Sequence, residues 1–340
     1  GKTMNVNGIF ENQSSNTASI IVAGATLNFN SGSYYTLSLA ARQIPAATWN
    51  VNSTVEVGGG LSGGNLTTVG GSVYGNFIVS SGADITGTLV LFTPNTGQQR
   101  IAGNLTISYT NTGTVQLISS GGTNILAIDG NYTQTSGIVT MNPSSYSTTT
   151  FRTMTVQGNF SLDNGTFNIS TNTTEGSFCN LILKGNFSAN NAVIQNTSAV
   201  GTGVGFATIQ FAETNQTYSW TGTRSILGAN NKIKFVVNSG TNLDMGTSVI
   251  DGTANIEFAM SGAYTTAANT GTWAIGANTL TATTATAGMQ PGMLITGAGI
   301  QTNTYITAII SATSLQISKA TTGAQAGAAF VVGGVAVGTV

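Results

Sequence analysis

Apolar and polar residues alternate with a period of two along most of the chain. In one stretch Met154, Val156, Gly158, Phe160 and Leu162 fall on one side, and Thr155, Gln157, Asn159 and Ser161 on the other. Leu126, Ile128, Gly130 and Tyr132 repeat the pattern, as do Ile101, Gly103, Leu105 and Ile107, and Leu181, Leu183, Gly185 and Phe187. Period two is the signature of a half-buried strand, with an apolar inner face and here a hydroxyl-and-amide outer face. No stretch carries apolar residues at helical spacing between caps, so the reading is all-β.

The alternation is phased by a recurring phrase, Gly-Asn followed by an aromatic residue or leucine. It occurs at Gly75-Asn76, Gly103-Asn104, Gly130-Asn131, Gly158-Asn159 and Gly185-Asn186, with steps of 28, 27, 28 and 27 between the glycines. A fixed period of that size marks a stacked repeat, in which each unit buries its face against its neighbours. A second strand follows each phrase after a small-residue turn, as in 113–117, 137–141 and 165–169. About 27–28 residues holding two or three short strands make one coil of a parallel β-solenoid, or β-helix. Stacking predicts Phe77, Leu105, Tyr132, Phe160 and Phe187 at one interior level, and Val79, Ile107, Thr133 and Leu162 at another. The glycines are expected to point inward, relieving crowding or marking a corner. The asparagines are expected to form a structural ladder, hydrogen-bonded side chain to side chain along the axis. A ligand-binding strip is the lesser reading of that row.

Less regular phrases extend the solenoid to residues 1–262, nine or ten coils at about 4.8 Å each. Residues 263–290 are rich in Ala and Thr. Strands at 292–300, 304–310 and 314–318, with glycine turns between them, then read as a small β-barrel or sandwich module, placed at 263–340.

Composition narrows what such a fold is for. Only 6% of the residues are charged and the net charge is −1, so the surface is wetted by Thr, Ser, Asn and Gly and courts neither nucleic acid nor an anionic bilayer. There is no histidine, which removes the commonest acid–base and zinc side chain. The single cysteine, Cys179, reads as a small buried hydrophobe. The carboxylates are scattered. Asp129 lies one residue before its repeat glycine and Asp163 five after, so stacking gives them no reason to meet as a glycosidase pair. Asp244 and Asp251 are the nearest approach to a weak calcium site, and no phosphate loop occurs. Trp49, Trp220 and Trp273 read as core or cap residues before sugar platforms, and Asn104, Asn131, Asn159 and Asn186 each open an Asn-x-Ser/Thr sequon. No cofactor, metal or catalytic residue is expected. No run of 18 apolar residues is present, so no membrane-spanning helix is expected either. The absence of a signal peptide and the first and last residues suggest a mature or excised piece of something longer.

Several phrases carry a family resemblance. Gly-Asn-Phe-Ser followed by Asn-Gly-Thr-Phe-Asn-Ile (158–161 and 164–169), the stretch Ile44-Pro45-Ala46-Ala47-Thr48-Trp49 before Asn52-Ser53-Thr54, and residues 237–244 resemble very large repetitive surface proteins of Bacteroidetes. That family is exported by the type IX secretion system and includes the SprB-type gliding adhesins. Residues 292–318 resemble a small β domain of bacterial adhesins and phage structural proteins. The resemblance implies an extracellular, cell-surface, non-catalytic scaffold for attachment or gliding motility. Its partners would be neighbouring domains or copies of the same long protein, and surface glycans. The alternative is a carbohydrate-binding or polysaccharide-processing β-helix protein, including a phage tailspike.

Overall fold

The structure is a computed structural model that describes residues 2–13, 25–38, 44–60, 63–66, 73–92, 98–118, 125–142, 151–171, 178–197, 207–227, 232–238, 240–250, 255–261, 269–282, 286, 289, 294–302 and 304–333. Every regular element among these residues is a strand. Among them, no helix is long and apolar enough to cross a membrane. The chain divides into two compact units, residues 1–234 with 242–256, and residues 235–241 with 257–340.

The first unit is a parallel β-solenoid. Its longest wall is a ten-stranded sheet in the order Ile9–Asn12, Tyr34–Leu37, Thr54–Val57, Asn76–Val79, Leu105–Ile107, Tyr132–Gln134, Phe160–Asp163, Phe187–Asn190, Asn215–Thr221 and Asn242–Asp244. A second wall runs through Val73–Tyr74, Gln98–Ile101, Ile125–Ile128, Phe151–Val156, Phe178–Leu183 and Ala207–Phe211. The third wall holds Gly64–Asn65, Thr88–Phe92, Thr114–Ile118, Ile138–Asn142, Thr166–Ser170, Val193–Asn196 and Ser225–Leu227. Lys2–Val6, Ala25–Phe29 and Thr48–Trp49 form a separate three-stranded sheet.

Coil length is not constant. Phe77 pairs with Leu105, Leu105 with Tyr132, Tyr132 with Phe160 and Phe160 with Phe187, at the 27- and 28-residue steps of the sequence. Ile9 pairs with Tyr34 after 25 residues, Tyr34 with Thr54 after 20, and Thr54 with Asn76 after 22. Among the described residues, the first strand of the third wall is Gly64–Asn65. Phe187 pairs with Tyr218 after 31 residues.

Stacking puts like on like inside. Phe10, Tyr35, Val55, Phe77, Leu105, Tyr132, Phe160, Phe187 and Tyr218 form one register column of the ten-stranded sheet. Tyr132 stacks on Phe160 at 4.7 Å, and Phe187 on Tyr218 at 4.8 Å. The next column runs Leu37, Val57, Val79, Ile107, Gln134, Leu162, Ala189 and Trp220. This corrects the sequence reading at one rung: Thr133 pairs with Thr106 and Ser161 on the outside, and Gln134 takes the inner place. A glutamine can sit there because its amide is fully used. Its Oε1 accepts from the Tyr132 hydroxyl at 3.0 Å, and its Nε2 donates to the carbonyls of Gly137 at 3.0 Å and Thr166 at 3.1 Å. Gln134→Leu should therefore destabilise the unit by about 1–3 kcal/mol, because the buried Tyr132 hydroxyl and two half-buried carbonyls lose their partner together. A urea midpoint unchanged or raised in that variant would contradict this account.

Buried phenols set the response to pH. Tyr35, Tyr109 and Tyr132 are fully buried, and burial raises the phenol of each, that of Tyr132 most strongly. The Tyr109 hydroxyl donates to the Gly113 carbonyl at 2.8 Å and accepts the Ile138 N–H at 2.7 Å. A phenol whose folded value is raised stays protonated in the native state after it has ionised in the unfolded chain. Its contribution is complete below the unfolded value near 10, and falls as pH climbs from there toward the folded value. With no histidine to titrate near neutrality, the melting temperature should be flat around pH 7. Above about pH 10 stability should decline by up to about 1.4 kcal/mol per pH unit for each such phenol. Thermal melts across an alkaline series, with Tyr132→Phe as comparison, check the sign and the slope.

The second unit contains a closed antiparallel barrel in the order Asn269–Trp273, Thr279–Ala282, Ser314–Ile317, Thr304–Ser311, Leu294–Gly297 and Gln325–Gly333. It has six strands where the sequence pattern marked three. Its core is Trp273, Leu280, Met289, Ile295, Ile306, Leu315, Ile317, Phe330 and Val332. Trp273 and Leu280 anchor two strands from the Ala- and Thr-rich segment, where large apolar residues are too sparse to announce a core.

Candidate functional site

The Gly-Asn pairs form one corner of the solenoid, between the second wall and the ten-stranded sheet. The chain leaves a strand such as Phe151–Val156, bends through Gln157-Gly158-Asn159 and enters Phe160–Asp163. A corner exposes backbone N–H and C=O groups that no regular ladder serves, so each needs a partner. Here every coil supplies it to the next. The Gly103 N–H donates to the Gly75 carbonyl at 3.1 Å, Gly130 to Gly103 at 2.9 Å, and Gly158 to Gly130 at 3.0 Å. The asparagine N–H of each coil donates to the side-chain Oδ1 of the asparagine before it: Asn104 to Asn76 at 2.9 Å, Asn131 to Asn104 at 2.8 Å, Asn159 to Asn131 at 2.8 Å and Asn186 to Asn159 at 3.0 Å. The asparagine carbonyls of Asn104, Asn131, Asn159 and Asn186 accept in turn from the N–H of Phe77, Leu105, Tyr132 and Phe160.

This is a ladder of a different kind from the one expected. The rungs run from side chain to backbone; a side-chain-to-side-chain bond joins only Asn104 Nδ2 to Asn76 Oδ1, at 3.3 Å, among the bonds of these five residues. Purely side-chain rungs occur in the early coils, from Asn28 to Asn5 at 2.9 Å and from Asn30 to Asn7 at 2.7 Å. The glycines also face elsewhere than expected. A Cβ on Gly103 would lie 2.4 Å from Asn76 Oδ1, and one on Gly130 2.5 Å from Asn104 Oδ1. On Gly158 it would lie 2.5 Å from Asn131 Oδ1, on Gly185 2.2 Å from the Gly158 carbonyl oxygen, and on Gly75 2.3 Å from that of Ser53. The missing side chain points along the axis at the preceding coil, not into the core. At Gly103, Gly130 and Gly158 glycine leaves room for the neighbouring carboxamide to cross, and at Gly75 and Gly185 for a backbone carbonyl of the coil before.

The ladder ends on residues that the repeat phrase does not mark. Asn186 Oδ1 accepts from the Thr217 N–H at 2.9 Å. One residue earlier, Gln216 takes the place of the glycine, and its Nε2 donates to the carbonyl of Gly185 at 2.6 Å. At the other end Asn76 N–H donates to the Ser53 carbonyl at 2.7 Å. In the coils before it, Ser33 and Ser53 hydroxyls brace the turn by donating to Asn30 and Asn50 carbonyls at 2.7 and 2.6 Å. The signal for these was an Asn-x-x-Ser spacing, at 30–33 and 50–53, rather than Gly-Asn.

The other candidate chemistry is dispersed. Asp129 forms an ion pair with Arg100 at 2.6 Å, on the surface, where such pairs contribute little. Asp163 accepts from Asn190 Nδ2 at 2.8 Å, Asp84 accepts from Asn111, and Asp244 accepts the Gly246 N–H at 2.8 Å as part of a turn. Asp251 lies outside the described residues. Among the described residues, no three of His, Cys, Asp and Glu are grouped to hold a metal ion. Cys179 is fully buried and level with Arg152 of the preceding coil, itself buried and with its guanidinium lowered by desolvation. Trp49 stacks on Phe29 at 4.1 Å, Trp220 packs beside Phe187 at 5.9 Å and Trp273 meets Phe330 edge-on at 6.2 Å; all three are buried and offer no platform to a sugar. Compared with known proteins, the chain matches no family model, no curated protein and no solved structure.

Proposed function

We propose that the chain is a structural and adhesive segment of a secreted cell-surface filament or adhesin, a non-catalytic repeat scaffold for surface attachment or gliding motility. The observation that supports this reading is the continuity of the corner. From Asn76 to Thr217 each coil satisfies the polar groups of the next, so the repeat is built to be prolonged rather than to close around a pocket. The nearly uncharged outer surface suits an environment where attachment proceeds by hydrogen bonding and contact area. The partners in this reading are neighbouring domains or further copies of one long parent protein, together with surface glycans. Export would follow the type IX route that the sequence resemblance implies.

Labelling and flow experiments test the proposal. An antibody raised against the chain should decorate intact producing cells, and beads coated with the chain should be retained under flow on surfaces those cells colonise. Labelling that requires permeabilised cells, or beads that wash off like albumin-coated controls, would overturn it.

A further inference from the structure

The outer face of the ten-stranded sheet is a two-dimensional array of short polar groups. One row, in register across five coils, is Thr106, Thr133, Ser161, Ser188 and Ser219. Bordering it, at the corner where each strand begins, runs the row Asn104, Asn131, Asn159 and Asn186, continued by Thr217, all exposed. On the other side Asp163, Asn190 and Thr221 are in register. The repeat across strands is about 4.8 Å, and the repeat between the hydroxyl row and the row of Asp163, Asn190 and Thr221, two residues along a strand, is about 6.6 Å. No register shift interrupts the sheet over these coils.

The array is also stiff. The four carboxamides are held by N–H bonds to their Oδ1 atoms at 2.8–3.0 Å. Thr106 and Thr133 are β-branched with restricted χ1. The one charge, Asp163, is engaged by Asn190 Nδ2.

A rigid lattice of donors and acceptors suits a ligand that is itself a lattice, and two common solids qualify. Crystalline polysaccharides present the CH faces of sugar rings, which bind to exposed aromatic rings. Phe160, Phe187, Tyr218 and Trp220 of these coils are all turned inside. Ice presents hydroxyl-like oxygens with repeats close to those of this sheet in both directions, and makes no use of charge. We infer that this face binds ice, its hydroxyl and amide rows holding a layer of water in register with the crystal. The inference goes beyond the scaffold reading and does not need it.

The full chain should facet growing ice crystals and slow recrystallisation of fine-grained ice. Thr133→Tyr with Ser161→Tyr places two phenols within the hydroxyl row, on strand positions that accept tyrosine. That variant should need at least about tenfold more protein for the same effect. Thr155→Tyr, on the outer side of the second wall, should match the parent. If the paired change lowers the melting point, the single change Ser188→Tyr at an exposed site gives the same comparison. Round crystals and unslowed recrystallisation with the parent chain would overturn the inference. So would equal loss in Thr155→Tyr, or binding to cellulose or chitin that the row variants abolish while ice is unaffected.

Discussion

Phe160→Ala should cost the solenoid about 3–5 kcal/mol and break its unfolding into two steps. The ring is fully buried, seventh of the nine residues of the column, with coils on either side of it. It stacks on Tyr132 at 4.7 Å and Phe187 at 5.8 Å, and meets Phe167 edge-on at 5.3 Å. Removing it leaves a cavity shared by three coils, and forfeits aromatic pairs that contribute about 0.5–1.5 kcal/mol each beyond their area. In a stacked repeat the stability is close to a sum of unit and interface terms, so a weakened interface in the middle uncouples the coils on either side. Trp49 lies before the break and Trp220 after it, which gives each side its own probe. In chains that keep only one of these tryptophans, urea transitions should coincide in the parent and separate in the variant. Coincident curves, or a loss under about 1 kcal/mol, would mean that the coils do not depend on this column.

The second large effect concerns the corner. Gly103→Ala should destabilise by about 2–3 kcal/mol, because its Cβ would lie 2.4 Å from Asn76 Oδ1. The obstacle is mainly a side chain; the nearest backbone atom is Asn76 N at 3.1 Å. In an Asn76→Ala background the same change should therefore cost under about 1 kcal/mol, a coupling that a double-mutant cycle reads directly. Asn76→Ala alone should cost about 1–2 kcal/mol, for the Asn104 N–H that loses its acceptor. Gly158 supplies the contrast. Its added Cβ would meet Asn131 Oδ1 at 2.5 Å and also Gly130 backbone carbon and oxygen at 2.7 Å, so Asn131→Ala should rescue little of Gly158→Ala. Equal rescue at both sites would show that the carboxamide is not what excludes the methyl group.

The solenoid was legible because burial recurs once per coil, and the same residue types must return at the same spacing. The corner was harder. Alternation runs unbroken from Met154 through Gly158 to Leu162, although Val156 and Phe160 belong to different walls, because the bend preserves which side faces inward. Hydropathy therefore could not locate the turn, nor show that Gly158 faces along the axis. The exchange of Gln134 for Thr133 had a similar origin: the interior place went to the longer amide, which no apolar pattern selects. Three barrel strands were missed because small residues dominate them. The Asn ladder was readable as a row of equal spacing, but its donors were backbone groups, which a sequence does not display.

One consequence of the corner concerns how such a chain can vary. Each rung from Asn76 to Asn186 requires only another Gly-Asn one coil away, and the asparagine N–H donors all face the same direction along the axis. Excising Leu105–Asn131, or duplicating it, would rejoin Asn104 or Asn131 to a residue of the kind it already precedes, and leave each rung of the asparagine ladder with a partner. The number of turns is thus free to drift by whole-unit gain and loss during replication, while changes of a few residues inside a turn are penalised at once. A lineage carrying this architecture can alter its reach without redesigning the corner.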